Sequence, residues 1–200
     1  MANAIDRLNA EHANLGRLVR LLDGRSAVGA ELTSVTVALF VDVMYYLTHF
    51  PDVSHHPAED GIVERLRDKD ALPPGFGDEI EAQHATLERQ GADLMRDLES
   101  AAREESMSWE LVEANIRLYA ERLRHNMAVE ELILFPAALR HFHADDWLAI
   151  DAITARVQHD PLQPTSTEDR FAQLRRVIAA EADCGCEPEP APGEFARPGA

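Results

Sequence analysis

Residues 5–22, IDRLNAEHANLGRLVRLL, place apolar side chains at alternating intervals of three and four. One histidine, His12, stands at a position that this pattern assigns to the core. The positions are Ile5, Leu8, His12, Leu15, Val19 and Leu22. Because this spacing keeps one face of a helix inward, we predict a helix from about residue 2 to residue 23, before Gly24.

The same spacing recurs in three later segments, at about 31–50, around 80–98 and at about 108–142. Pro51 should break or kink the second helix, because it lacks an amide donor. Residues 72–75, Leu-Pro-Pro-Gly, predict a loop. Two shorter helices are predicted near 144–157 and 167–182. The predicted fold is therefore all-α, an up-down-up-down four-helix bundle with two short C-terminal helices and a disordered tail.

We divide the chain into a bundle over 1–160, a C-terminal helix over 161–183 and an acidic tail over 184–200. The tail consists mainly of Pro, Glu, Ala and Gly and has little to bury, so we expect it to be disordered. It contains the two cysteines, Cys184 and Cys186. They stand too close in sequence to cross-link a core.

The charge balance excludes two classes of partner. The 200 residues include 19 Lys and Arg against 36 Asp and Glu, a net charge of −17. Such a chain repels the phosphates of nucleic acids and anionic lipids. No apolar run approaches the roughly 20 residues of a spanning helix, and no signal-peptide pattern is visible at the N-terminus. We expect a cytoplasmic protein that binds neither nucleic acid nor membrane.

Six histidine and glutamate residues interrupt the apolar faces or lie among residues otherwise fit for a core. They are His12, His55, Glu59, His84, His125 and Glu130. An unpaired buried imidazole or carboxylate is costly, and a bound cation offsets that cost. Imidazole and carboxylate without thiolate suit iron, manganese or zinc. Six ligands exceed what one tetrahedral zinc takes, whereas two metals bridged by Glu59 and Glu130 would use them all.

Each residue also has an interpretation without metal. His12 or His84 alone would more often be a hydrogen-bonded core histidine, and a pair such as His141 and Asp145 is usually a solvated helix face. The occurrence of an inward imidazole on each of the four segments favours a metal site over these alternatives.

The chain resembles the hemerythrin family, or HHE cation-binding domain, in its bacterial form. Four stretches carry the resemblance, which covers about residues 3–140: 11–15 (EHANL), 55–60 (HHPAED), 83–87 (QHATL) and 125–136 (HNMAVEELILFP). The resemblance implies two iron ions joined by an oxo or hydroxo bridge, with manganese or zinc less favoured. Terminal ligands would then be His12, His55, His84 and His125, with Glu59 and Glu130 bridging.

Two positions qualify this ligand set. Oxygen-carrying hemerythrins have a further histidine one turn after the ligand that corresponds to His84, where this chain has Glu88. Glu88 and His56 are therefore additional candidate ligands, and reversible oxygen carriage is not expected. Glu131 stands next to Glu130 and leaves the register of the last carboxylate open by one position.

The resemblance implies a non-haem di-iron protein that binds or reacts with oxygen, nitric oxide or peroxide, for sensing, storage or detoxification. Whether it consumes the ligand as an enzyme stays open, as do its redox partner and whether it is a monomer or a dimer. The alternatives are an iron storage, sensing or repair protein and a metal-free interaction bundle. A ferritin-like oxidase is disfavoured, because only residues 81–84 fit its Glu-x-x-His spacing.

Overall fold

A computed structural model describes residues 4–26, 34–103, 108–154 and 171–176. Every regular element in these ranges is helical. The predicted tail with Cys184 and Cys186 lies outside the described residues, as does most of the predicted helix over 167–182. None of the described helices combines the length and the apolar content needed to span a membrane.

Within the described residues from 4 to 154, seven α-helices follow one another. They are α1 (Ala4–Ser26), α2 (Ser34–His49), α3 (His56–Asp68), α4 (Phe76–Ala102), α5 (Trp109–Val129), α6 (Phe135–His141) and α7 (Ala144–Thr154). Two π-helical turns, Pro51–His55 and Glu130–Leu134, join α2 to α3 and α5 to α6. The long segments therefore number four: α1, α2 with α3, α4, and α5 with α6.

These four segments pack around a shared interior. α2 contacts α4, α4 contacts α5, α5 contacts α1, and α1 contacts α2. At Gly91, α4 approaches α2 so closely that a Cβ would lie 2.6 Å from Cγ2 of Thr48. The all-helical class is confirmed, and the alternating up-down order stays a prediction.

The prediction that Pro51 breaks or kinks the second helix is confirmed, because α2 ends at His49 and Phe50 forms a bend. The chain continues through a π-helical turn in which the His56 amide donates to the Pro51 carbonyl, five residues back. The second π-helical turn has the same bond, from Phe135 to Glu130. A proline, Pro57 or Pro136, stands two residues after the last residue of each turn. Because proline cannot donate to the carbonyl four residues back and its ring clashes with that carbonyl, the widened turn lets the helix continue.

In the part of the chain that the structure describes, the buried apolar side chains form two separate clusters. The first is built on α1, α2, α4 and α5 and includes Phe40, Leu94 and Ile116. Phe171, from the described C-terminal residues, also packs in it. The second is built on the start of α1 with α3, α4, α6 and α7, and includes Leu8 and Ile62. A layer of polar side chains separates the two clusters.

The predicted inward faces of the first and third helices are confirmed. Along α1 the second cluster holds Leu8 and the first holds Leu15, with buried His12 between them. Along α4 the order is Ile80, His84 and Leu87. The polar layer therefore crosses the bundle at the level of His12 and His84.

Candidate metal centre

Six buried side chains form the polar layer: His12, His55, His56, Glu59, His84 and Glu130. His12 is 3% exposed, and both glutamates are 0% exposed. They come from α1, the first π-helical turn, α3, α4 and the second π-helical turn. The fold thus buries four imidazoles and two carboxylates in one place.

The histidines fall into two groups that share one glutamate. His12 and His55 form the first group with Glu59, and His56 and His84 form the second group with the same Glu59. Within each group, one potential ligand atom from every residue lies within 4.8 Å of the others. Glu59 therefore stands between two pairs of imidazoles.

Glu130 contacts one histidine of each pair. Its Oε1 lies 3.0 Å from Nε2 of His84, and its Oε2 lies 3.5 Å from Nε2 of His12. Each carboxylate of the layer is thus shared between both histidine pairs.

Carboxylates around the layer fix the orientation of three imidazoles. The Nδ1 atoms of His12, His55 and His84 lie 2.9, 2.7 and 2.9 Å from Glu131, Glu11 and Asp60 respectively. An ionised carboxylate only accepts, so each Nδ1 carries a proton and donates it. In the neutral tautomer Nε2 is then a lone-pair donor turned toward the interior. This carboxylate–histidine arrangement is typical of histidines that bind metals.

The first π-helical turn explains why two consecutive histidines both point inward. In a regular α-helix, neighbouring residues lie on different faces. The widened turn ends at His55, and α3 begins at His56. The His56 ring stacks on that of His84 at 4.2 Å, while the His55 ring lies 4.8 Å from that of His12. Because of this turn, His55 lies in the first group and His56 lies in the second.

The layer needs positive charge. Burial alone would lower the pKa of His55, but the Glu59 charge and the bond to Glu11 raise it to about 10. Burial likewise opposes the charge on His84, whereas its bonds to Asp60 and Glu130 raise its pKa to about 10. Burial would raise the pKa of Glu59, but the charge on His55 lowers it well below its usual range. Burial and the charge on Glu59 raise the pKa of Glu130 to about 7. Without a cation, protons on the histidines and on Glu130 therefore offset the buried negative charge.

Several buried polar atoms of the layer have no hydrogen-bond partner. They include Nε2 of His12, both oxygens of Glu59 and Oε2 of Glu130. These lone pairs lie in a buried part of the bundle, where unpaired polar atoms are costly. A cation bound between them would satisfy all of them at once, so the residues present fit a metal.

Two of the predicted ligands do not belong to the layer. His125 is exposed and lines a surface groove of about 530 Å³ between α4 and α5, and Glu88 is exposed on α4. The prediction that His125 points inward is wrong for a geometric reason. α5 is regular up to Val129, and five residues at about 100° each place His125 about 140° away from Glu130. The structure brings the other candidate, His56, into the layer.

Asn126 holds the inward position that was assigned to His125. It is buried four residues before Glu130, and its Nδ2 donates to Oε1 of Glu130 at 2.8 Å. The i,i+4 relation to Glu130 was a signal for this residue in the sequence. Glu11 and Asp60 were also missed as partners, although each stands within the motifs around His12 and Glu59.

The model of the hemerythrin HHE cation binding domain matches residues 3–138. The chain belongs to this family. The match contains all six residues of the polar layer, so the HHE cation-binding domain and the buried cluster coincide. No curated protein and no solved structure matches the chain.

Proposed function

We propose that this HHE domain binds two iron ions in its polar layer. His12 and His55 would be ligands of the first ion, and His56 and His84 of the second. Glu59 and Glu130 would contribute oxygens to both. The observation that carries this proposal is the sharing of Glu59 by two histidine pairs.

The donor set supports iron. Imidazole and carboxylate without thiolate suit iron, manganese or zinc, and four imidazoles with two bridging carboxylates exceed the needs of a tetrahedral zinc site. The layer also lies between two apolar clusters. A small neutral molecule such as oxygen or nitric oxide enters an apolar interior more readily than an ion does.

We further propose that the site binds or reacts with oxygen, nitric oxide or peroxide. Bound iron would supply reversible one-electron chemistry. The chain's own residues keep water out and hold the ligands in place. Phe135 stacks on the His12 ring at 5.3 Å, and Glu11, Asp60 and Glu131 orient the imidazoles from outside.

Iron analysis and optical spectra of two matched variants test the proposal. Glu59→Gln removes the shared buried carboxylate, while Glu88→Gln makes the same change at an exposed position of α4. We expect two irons per chain in the wild type and in Glu88→Gln, and fewer than one in Glu59→Gln. The spectrum of the reduced wild type should change on addition of oxygen, nitric oxide or peroxide. Equal iron contents in all three proteins would contradict the proposal.

A further inference from the structure

Two pairs of residues approach the polar layer with the same spacing. His55 precedes Glu59 by four residues, and Asn126 precedes Glu130 by four residues. Both carboxylates are fully buried, and Asn126 is 2% exposed. One pair therefore presents an imidazole beside its carboxylate, and the other presents an amide.

A chain of hydrogen bonds fixes the orientation of that amide. Nε2 of Gln83 donates to the exposed carboxylate of Glu79 at 3.2 Å, which leaves Oε1 of Gln83 turned toward Asn126. Nδ2 of Asn126 lies 3.3 Å from this Oε1 and 2.8 Å from Oε1 of Glu130. Because a carboxylate only accepts, reversing either amide would bring oxygen against oxygen. Asn126 is thus set as a donor toward Glu130.

The donated hydrogen bond makes the two carboxylates unequal. Both oxygens of Glu59 lack a hydrogen-bond partner. In Glu130, only Oε2, which lies on the side of His12, lacks a hydrogen-bond partner. The other oxygen, Oε1, lies on the side of His84 and accepts a hydrogen bond from Asn126. An oxygen that already accepts a strong hydrogen bond has less electron density to give to a cation.

We infer that Asn126 is a positioning residue that makes the two cation positions unequal in affinity. The inference rests on the proposed function. The position beside His12 and His55 receives an unengaged oxygen from each carboxylate and fills first. The position beside His56 and His84 receives Oε1 of Glu130, which Asn126 engages, and fills second. Removing the amide donor tightens the second position selectively.

Calorimetric titration of the metal-free protein with Co²⁺ alone tests this inference, with the absorption spectrum of bound Co²⁺ as a second readout. We expect two binding steps in the wild type. Asn126→Leu keeps the branched shape of the side chain but removes the donor. It should reduce the ratio of the second dissociation constant to the first about tenfold, the usual size of an outer-shell effect. Gln83→Leu should shift the ratio in the same direction by a smaller factor.

Gln90→Leu is the matched control for Gln83→Leu. Gln90 also lies on α4, but it bonds to the Asn115 carbonyl and to Arg122. It should leave both constants unchanged. Gln83→Leu alters a partly exposed residue, so it retains the test if Asn126→Leu does not fold. This inference alone would be overturned if the wild type bound two cations and neither Asn126→Leu nor Gln83→Leu changed the ratio of the two dissociation constants. Binding of one cation or none by the wild type would overturn the proposed function with it.

Discussion

The apolar clusters and the polar layer between them are equally buried, but they differ in what burial does. Leu8 and Leu15 on α1 are almost fully removed from water, and so is His12 between them. Burying the leucines is favourable by itself. Burying His12 beside Glu59 and Glu130 is favourable only if a positive charge accompanies them. The clusters therefore stabilise the fold by themselves, whereas the layer is stable only when protons or bound cations supply positive charge.

Metal removal should have the largest effect on stability that belongs to the polar layer and not to the apolar clusters. A ligand that binds only the folded state adds about 4 kcal/mol to the free energy of unfolding at one thousand times its dissociation constant. We expect this gain for each iron in the wild type, measured by denaturant unfolding of loaded and stripped protein. In Glu59→Gln the loaded and stripped curves should coincide. A persisting difference in this variant would place the stabilising metal elsewhere.

Truncation in an apolar cluster should act equally with and without metal. Phe40 is fully buried in the first cluster, and Phe40→Ala should lower the free energy of unfolding by about 3–5 kcal/mol. Unfolding curves of the variant, recorded on stripped and on iron-loaded protein, check this. A loss confined to the loaded protein would mean that the cluster and the layer are not energetically separate.

Raising the pH should destabilise the stripped protein only. The folded-state pKa values of His55 and His84 are about 10, above the ordinary 6.5. Their stabilisation is complete below pH 6.5 and is lost as the pH rises toward 10. Between pH 6.5 and 9.5 the stripped protein should lose at least about 1.4 kcal/mol, the equivalent of one pKa unit.

The loaded protein should not show this loss, because cations replace those protons. Thermal unfolding at both pH values, with and without iron, provides the comparison. Equal losses in the two forms would contradict the assignment of these histidines as ligands.

Weakening one outer carboxylate should produce a smaller change. Glu11 accepts from Nδ1 of His55 at 2.7 Å, and Glu11→Gln removes its charge while it keeps its shape. Loss of such a partner typically lowers metal affinity by about 10- to 100-fold. Iron or Co²⁺ titration measures the change, with Glu113→Gln on α5 as a control that lies outside the polar layer. An affinity equal to that of the wild type would show that Glu11 does not orient the imidazole.

The smallest effect is expected for His125. Its side chain lines the outer groove and not the layer, so His125→Ala should change metal affinity by less than about twofold, well below an outer-shell effect. His56→Ala is the comparison, since its ring stacks on His84, and it should weaken the second cation by far more. Comparable losses in both variants would restore His125 as a ligand.

The helical spacing was enough to predict the parts of the molecule that are regular α-helix. His12 and His84 occupy positions of an alternating three–four pattern, and both are buried where that pattern placed them. Glu59 on α3 was likewise predicted as an inward carboxylate, and so was Glu130, which directly follows the last residue of the regular helix α5. The predictions hold here because a regular helix turns by a constant angle.

The spacing failed near the two π-helical turns, because each turn contains one more residue than the pattern allows. His56 therefore joins His55 in the layer, and Ile133, three residues after the buried Glu130, is 39% exposed. Pro57 and Pro136 marked both places in the sequence, but a proline signals only that the helix must adjust. His125 failed for a different reason, since five residues were counted where four bring a side chain to the same face.

Anomalous X-ray diffraction from iron-loaded crystals tests the central claim most directly. We predict two iron peaks about 3.5 Å apart, a separation typical of two-metal sites. One peak should lie beside His12 and His55, the other beside His56 and His84, with Glu59 between them. A single peak, or iron bound at His125 in the outer groove, would contradict this account of the molecule.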